Sequence, residues 1–260
     1  MSEESETTRL ACRGLTVSVP GRELVRGLTT EFRPGTVVAV LGRNGAGKST
    51  LLNVLAGLRA PAAGEVRLHG RPLGDWPRRE FALHVGLLPQ ASEDPFPGTV
   101  LETALVGRHP HIDFWQWEGA EDVEAARHCL GLMDLAGIDG RDIATLSGGE
   151  RRRLALAAVL AQGPQTYLLD EPVQQLDPQH ELQVLGHFRA LGDAGRTVVM
   201  SLHDAGVAAR YADEALLLFG DGRWLHGTAA DVLNEMTIAA LYGVPVRELT
   251  WEGGRTFVPA

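Results

Sequence analysis

Apolar residues fall along this chain in short blocks whose period changes from one stretch to the next. Val37-Val38-Ala39-Val40-Leu41 is continuous and mostly β-branched, the mark of a strand buried on both faces. Val85 to Leu88, Thr166 to Leu169, Thr197 to Leu202 and Glu214 to Phe219 read in the same way. Helical patterns cover Thr50 to Ala56, Glu150 to Gln162, Gln179 to Leu191 and Ala205 to Tyr211. Strands alternating with helices predict a mostly parallel sheet.

Other stretches break that alternation. Leu10 to Phe32 is strand-like around a turn at Pro20-Gly21-Arg22, and Glu65 to Gly70 alternates like a strand with one wet face. Together they predict an antiparallel β-subdomain beside the sheet. Ala91 to Gly98 is rich in Pro, Asp and Ser and reads as a hinge-like loop. Thr99 to Ala144 reads as helices broken at Gly107 to His111 and at Gly137 to Gly140, an inserted helical subdomain. Asp231 to Tyr242 is expected to be a terminal helical stretch with little chemistry in it. The expected layout is one domain over 1–260, with core and β-subdomain at 8–90 and 157–235, the helical subdomain at 91–156 and a tail at 236–260.

The first strand runs into Gly42-Arg43-Asn44-Gly45-Ala46-Gly47-Lys48-Ser49-Thr50, which fits G-x-x-x-x-G-K-[ST]. Glycines at 42, 45 and 47 let backbone N–H groups approach phosphate oxygens, and the following helix aims its N-terminus at the same anion. Lys48 supplies a point charge toward the β- and γ-phosphates, and Ser49 a hydroxyl for Mg²⁺. Strand, turn, Lys-Ser and apolar helix arrive in the required order. The fold class is therefore α/β, a P-loop nucleoside triphosphatase, with ATP and Mg²⁺ as the expected cofactors.

Ligands of open α/β sheets sit beyond the carboxyl ends of the strands. Gln90, Asp170-Glu171 and His203 stand at that edge with the phosphate loop. Asp170 suits the Mg²⁺ shell that Ser49 begins, and Glu171 the polarising of a water in line with the γ-phosphate. His203 is placed to report whether the γ-phosphate is present. Ser147-Gly148-Gly149-Glu150 opens a long helix with an N-cap and two glycines, a second anion site in a chain with one phosphate loop. A plain helix cap is the simpler reading. The sharper one is that this stretch completes the pocket of another copy, so that a twofold pair buries two ATP molecules.

The formal charge, 24 basic minus 33 acidic residues or −9, argues against nonspecific nucleic-acid binding. Cys12 and Cys129 lack metal-ligand spacing and are expected to be buried, reduced thiols of a cytosolic chain. No apolar run approaches the ~20 residues of a membrane helix. The acidic start Met1 to Glu6 is expected to be neither a secretory signal nor a transit peptide.

Taken together, these motifs resemble those of an ABC-type ATPase subunit over nearly the whole chain. The resemblance implies the Q-loop at Gln90, catalytic and beside the metal, the signature at Leu146 to Glu150, Walker B at Asp170 and Glu171, the D-loop Asp177 and the switch His203. It implies a homodimer on the cytoplasmic face of the bacterial inner membrane, energising a transmembrane permease and indirectly served by a substrate-binding protein. Gly70 to Leu73, Gly107 to His111 and Leu241 to Val244 are similar to the subgroup serving iron-siderophore, haem and vitamin B12 (cobalamin) importers. His109 and His111 are then expected on the surface that meets the permease.

Two departures stand out. Val19-Pro20 occupies the place of the aromatic that stacks on adenine, and Gln174-Gln175 stands in the D-loop, where a small polar residue is usual at 174. Of Arg151-Arg152-Arg153, one is expected to position the signature helix and the others to be solvated. Rival readings are a soluble ABC ATPase of iron–sulfur assembly, a DNA-repair ATPase of the same superfamily and a nucleotide-binding regulator that does not hydrolyse.

Overall fold

β-Branched, apolar β3 (Val37–Gly42) forms the centre of the molecule because both of its faces are buried. Val37, Ala39 and Leu41 point into one hydrophobic core, Val38 and Val40 into the other. The structure is a computed structural model and describes residues 10–90, 97–113 and 115–260. Most of the hinge-like loop expected at Ala91 to Gly98 lies outside these residues.

The chain enters as β1 (Leu10–Val19) and β2 (Arg22–Phe32), passes β3, and continues into α1 (Lys48–Leu55), β4 (Ala63–Leu68) and β5 (Arg71–Pro72). Next come α2 (Arg78–His84), β6 (Val85–Leu88), α3 (Val100–Leu105), α4 (Ala120–Leu132) and α5 (Gly148–Gln162). The second half holds β7 (Thr166–Leu169), α6 (Pro178–Asp193), β8 (Thr197–Ser201), α7 (Ala205–Tyr211) and β9 (Glu214–Leu218). It closes with β10 (Trp224–Thr228), α8 (Ala229–Val232), α9 (Glu235–Tyr242), β11 (Val246–Trp251) and β12 (Gly254–Pro259).

A six-stranded sheet runs β10-β9-β3-β8-β7-β6. All its neighbouring pairs are parallel except β9 with β10. One face packs on α1 and on the antiparallel sheet β2-β1-β4-β5, through Leu10, Leu15, Leu28, Phe32, Leu51 and Leu55. The other face packs on α3 to α9 through residues such as Leu154, Val184, Phe188, Ala208 and Ile238. Both cysteines are buried and free, and burial pushes their thiols up, to about 12 for Cys12 and about 11 for Cys129.

Between β6 and β7 the first expected break, at Gly107 to His111, is present, whereas α4 ends at Leu132, ahead of the second expected at Gly137 to Gly140. Val106–His111 is a tight turn of 3-10 helix containing Pro110. Gly107 in that turn lies against α5 so closely that a Cβ there would come 2.0 Å from the carbonyl oxygen of Ala158. α5 runs unbroken to Gln162 and ends on left-handed Gly163.

Asp231 to Tyr242 is helical, in two pieces, because Leu233 leaves the helical region and Asn234 opens α9 by accepting from the N–H of Thr237. A hairpin of β11 and β12 follows, and β12 lies along α7. Among the described residues, no helix is long and apolar enough to cross a membrane.

Candidate functional site

β3 ends at Gly42, and the loop that follows turns tightly enough to start α1 at Lys48, two residues before the expected helix start. Gly47 caps that helix with φ +107°, a conformation that strains any side chain. Lys48 is buried, and its ammonium donates to the carbonyl oxygen of Gly42 (2.9 Å). Burial pulls the Lys48 pKa down, while the charges of Glu171 and Asp170 pull it back up.

A cavity of about 460 Å³ opens over this loop, a size common for small-ligand sites. Asn44, Gly45, Gly47, Lys48, Ser49 and Thr50 of the loop line it together with Gln90, Glu171, Gln174 and His203. Val19, Arg22 and Leu24 line it as well. The strand-end residues named from the sequence are thus brought together with the phosphate loop. Gly42, Arg43, Ala46 and Asp170 are not among the residues that line it.

Asp170 is buried, and its Oδ1 accepts from the Ser201 hydroxyl (2.6 Å). The same hydroxyl oxygen accepts from the Glu171 N–H (2.8 Å). Ser201 therefore ties the two carboxylate-bearing residues to the end of β8. Glu171 has left-handed backbone (φ +51°), and its carboxylate is buried. His203 Nε2 lies 2.7 Å from Glu171 Oε1, whereas Oε2 is buried without a hydrogen-bond partner. A buried, unbonded carboxylate oxygen on a residue that lines the cavity fits a site made to receive a polar ligand.

Ser147, Gly148, Gly149, Glu150 and Asp177 do not line this cavity. Ser147 and Glu150 form a reciprocal cap. The Glu150 N–H donates to Ser147 Oγ (3.2 Å), and the Ser147 N–H to Glu150 Oε2 (2.8 Å). These bonds hold the Glu150 carboxyl below its usual range, and Arg141 adds to the effect. Asp177 caps α6 through the His180 N–H, which lowers its carboxyl likewise. Gln175 packs on the same stretch, its Oε1 2.8 Å from where a Cβ on Gly148 would stand.

The arginine cluster differs from expectation, since none of its members is simply solvated. Arg152 is buried and donates to the carbonyl oxygens of Pro89 (2.8 Å), Glu171 (2.7 Å) and Asp170. Burial brings its pKa down to about 10, opposed by Asp170 and Glu171, so it stays charged at neutral pH. Arg151 donates to Ala144 O and Arg153 to Met133 O. In the Gly107 to His111 loop, His111 Nε2 donates to Gln162 O (2.8 Å), and Asp113 pairs with Arg79 (2.8 Å). Among the described residues, no cluster of three or more His, Cys, Asp or Glu could hold a metal ion.

Sequence reasoning missed Ser201, Arg152 as a bridge between elements, and Arg22. Ser201 was legible only as the one polar residue in the buried run Thr197 to Leu202, after Thr197 itself.

A parallel sheet whose central strand feeds a glycine cradle, with carboxylates and a histidine at neighbouring strand ends, defines a P-loop nucleotidase. A family model described as ABC transporter matches residues 25–174, and the chain belongs to that family, whose ATP-binding proteins hydrolyse ATP. It is 42% identical to the hemin import ATP-binding protein HmuV of Streptomyces coelicolor over 240 residues, 91% of this chain and 84% of that one. To HmuV of Myxococcus xanthus it is 40% identical over 254 residues, 92% and 94% of the two chains. Among solved structures, a metal-chelate type ABC transporter in an inward-facing conformation superposes with a TM-score of 0.84 at 27% identity, over 97% of this chain and 98% of the other. A dimeric ATP-binding cassette in a post-hydrolysis state with ADP and Pi gives 0.74 at 25% identity, over 85% and 98%.

Proposed function

We propose that this chain is the ATP-hydrolysing subunit of an importer for haem, working as a homodimer on the inner face of the bacterial plasma membrane against a separate permease. The observation that carries the cargo is the likeness, at 40–42% identity over most of both chains, to proteins named for hemin import. Iron-siderophore and cobalamin are the neighbouring cargoes of the subgroup.

The cavity supports the chemistry. Lys48, freed from Gly42 O, would meet the β- and γ-phosphates, while the loop N–H groups hold the rest of the triphosphate. Hydroxyl, amide and carboxylate oxygens at Ser49, Gln90 and Asp170 are the hard donors that Mg²⁺ prefers. When bound there, the ion would neutralise charge on the phosphates. Glu171 is the general base for the attacking water, and its burial keeps competing water away. His203, already bonded to Glu171, holds that carboxylate and faces the γ-phosphate.

Ser147 to Glu150 and Asp177 stay off the chain's own cavity, which supports their serving a second copy. Each ATP would then bridge two protomers, and hydrolysis would release them. Gln90 and the His109 to Asp113 loop are the parts assigned to the permease.

The test is reconstitution. In liposomes holding the permease with which this chain copurifies, external haem bound to its delivery protein should raise ATP hydrolysis several-fold. A rate indifferent to haem, yet raised by a siderophore or by cobalamin, would replace the cargo. A rate indifferent to the permease would favour a soluble ATPase.

A further inference from the structure

The tail reaches the site, and the function proposed above makes no use of it. The Tyr242 hydroxyl, on the last residue of α9, lies 2.9 Å from the carbonyl oxygen of His203 and donates to it. The phenol is half-buried and pushed up to about 12, by burial first and by the charge of Asp204 second, so it remains a protonated donor at neutral pH.

α9 is itself well anchored. Ile238 and Leu241 are buried in the core, and Glu235 Oε1 accepts from the Glu248 N–H of β11 (2.8 Å). Beside it, Thr256 of β12 approaches α7 so closely that a Cβ on Gly206 would stand 2.5 Å from its hydroxyl. The turn from β8 into α7, which presents His203, is thus held from outside at two points. The same helix end also meets the phosphate loop, since a Cβ on Gly243 would be 3.8 Å from Arg43 Nη1.

The His203 side chain is 49% exposed. Packing holds little of a ring that open, so its place is set by its 2.7 Å contact with Glu171 and by the backbone from which it projects. We propose that Tyr242 is a positioning residue for His203: its hydroxyl fixes the His203 carbonyl so that the imidazole meets Glu171 and the end of the triphosphate. The tail then serves turnover, not nucleotide binding. This inference rests on the reading of His203 as a catalytic residue.

Tyr242→Phe keeps the ring in place and removes only the hydroxyl, so the chain should fold. ATP hydrolysis is measured against ATP concentration for wild type, Tyr242→Phe and His203→Ala, with thermal melting of each. The expected result for Tyr242→Phe is a kcat about three- to tenfold lower, the size of one hydrogen bond, with KM and melting temperature close to wild type. An unchanged kcat overturns the inference. So does a rise in KM together with a fall in melting temperature, which would mean that Tyr242 only packs the tail. If His203→Ala hydrolyses like wild type, the reading of His203 fails and takes the inference with it. If His203→Ala is inactive and Tyr242→Phe normal, only the role of Tyr242 falls.

Discussion

Arg152 Nη2 lies 2.7 Å from the carbonyl oxygen of Glu171, joining the helix that begins at Ser147-Gly148-Gly149 to the carboxylate proposed as the base. The left-handed backbone of Glu171 costs about 1–3 kcal/mol for a residue of its kind. It persists because both of its backbone polar groups are engaged, the N–H by Ser201 and the carbonyl by Arg152. Arg152 also holds the carbonyls of Pro89 and Asp170, so one side chain joins α5 to the ends of β6 and β7.

Replacing Arg152 should therefore separate stability from chemistry. Arg152→Met takes the Arg152 donor from the buried Asp170 carbonyl, while the Glu171 carbonyl keeps the Gln174 N–H (3.1 Å), and should lower stability by about 1–3 kcal/mol, visible in thermal melting as a drop of several degrees. Arg152→Lys keeps the charge but loses the planar fork, and should cut ATP turnover about tenfold or more with a smaller change in KM. A Lys variant with wild-type turnover would show that the fork holds nothing the reaction needs.

The wall formed by Val19, Arg22 and Leu24 has no aromatic ring to stack on a base. Arg22 offers a guanidinium plane instead, pinned by its Nε bond to Gly220 O (2.7 Å). Stacking of that kind tolerates every base. ATP and GTP should therefore be hydrolysed with KM values within a fewfold of each other, and Arg22→Ala should raise both in parallel, several-fold. A strong preference for ATP that Arg22→Ala leaves intact would place base recognition elsewhere.

His226 links the β-subdomain to the six-stranded sheet. Its Nδ1 is 2.6 Å from the Thr30 hydroxyl oxygen on β2, and its Nε2 is 3.0 Å from Glu214 at the start of β9. Burial pushes its pKa below the ordinary value, Glu214 opposes the shift, and Arg33 adds to it. The unfolded chain then takes up the proton first. Stability present above an unfolded value of ~6.5 is lost as pH falls through the lower folded value. The urea midpoint should fall between about pH 7.5 and about pH 5.5, and fall less in His226→Gln. Equal losses in both chains would assign the acid sensitivity to other groups.

The parallel strands were legible because Val37 to Leu41 and its neighbours are buried on both faces and so are apolar throughout. The cradle and strand-end residues were legible because phosphate chemistry restricts the residue types and their spacing. β11 was not, since it is half exposed and carries Arg247 and Glu248 beside Val246 and Leu249. α2 was hidden for a similar reason, having no fully buried residue. The bridging role of Arg152 could not be read from the run Arg151-Arg152-Arg153. Only the packing of α5 decides which guanidinium turns inward, and the outer two find carbonyls of their own.

The separation of Ser147 to Glu150 from the chain's own cavity bears on the central claim, that two protomers share each nucleotide. Glu171→Gln should keep ATP binding while turnover falls by about 10²–10⁴-fold, the usual loss for a general base. The most direct measurement is equilibrium sedimentation of that variant. With saturating Mg²⁺ and ATP it should show a species of twice the 28.0 kDa protomer, and without nucleotide the single protomer. A single protomer under both conditions, with ATP demonstrably bound, would contradict the account.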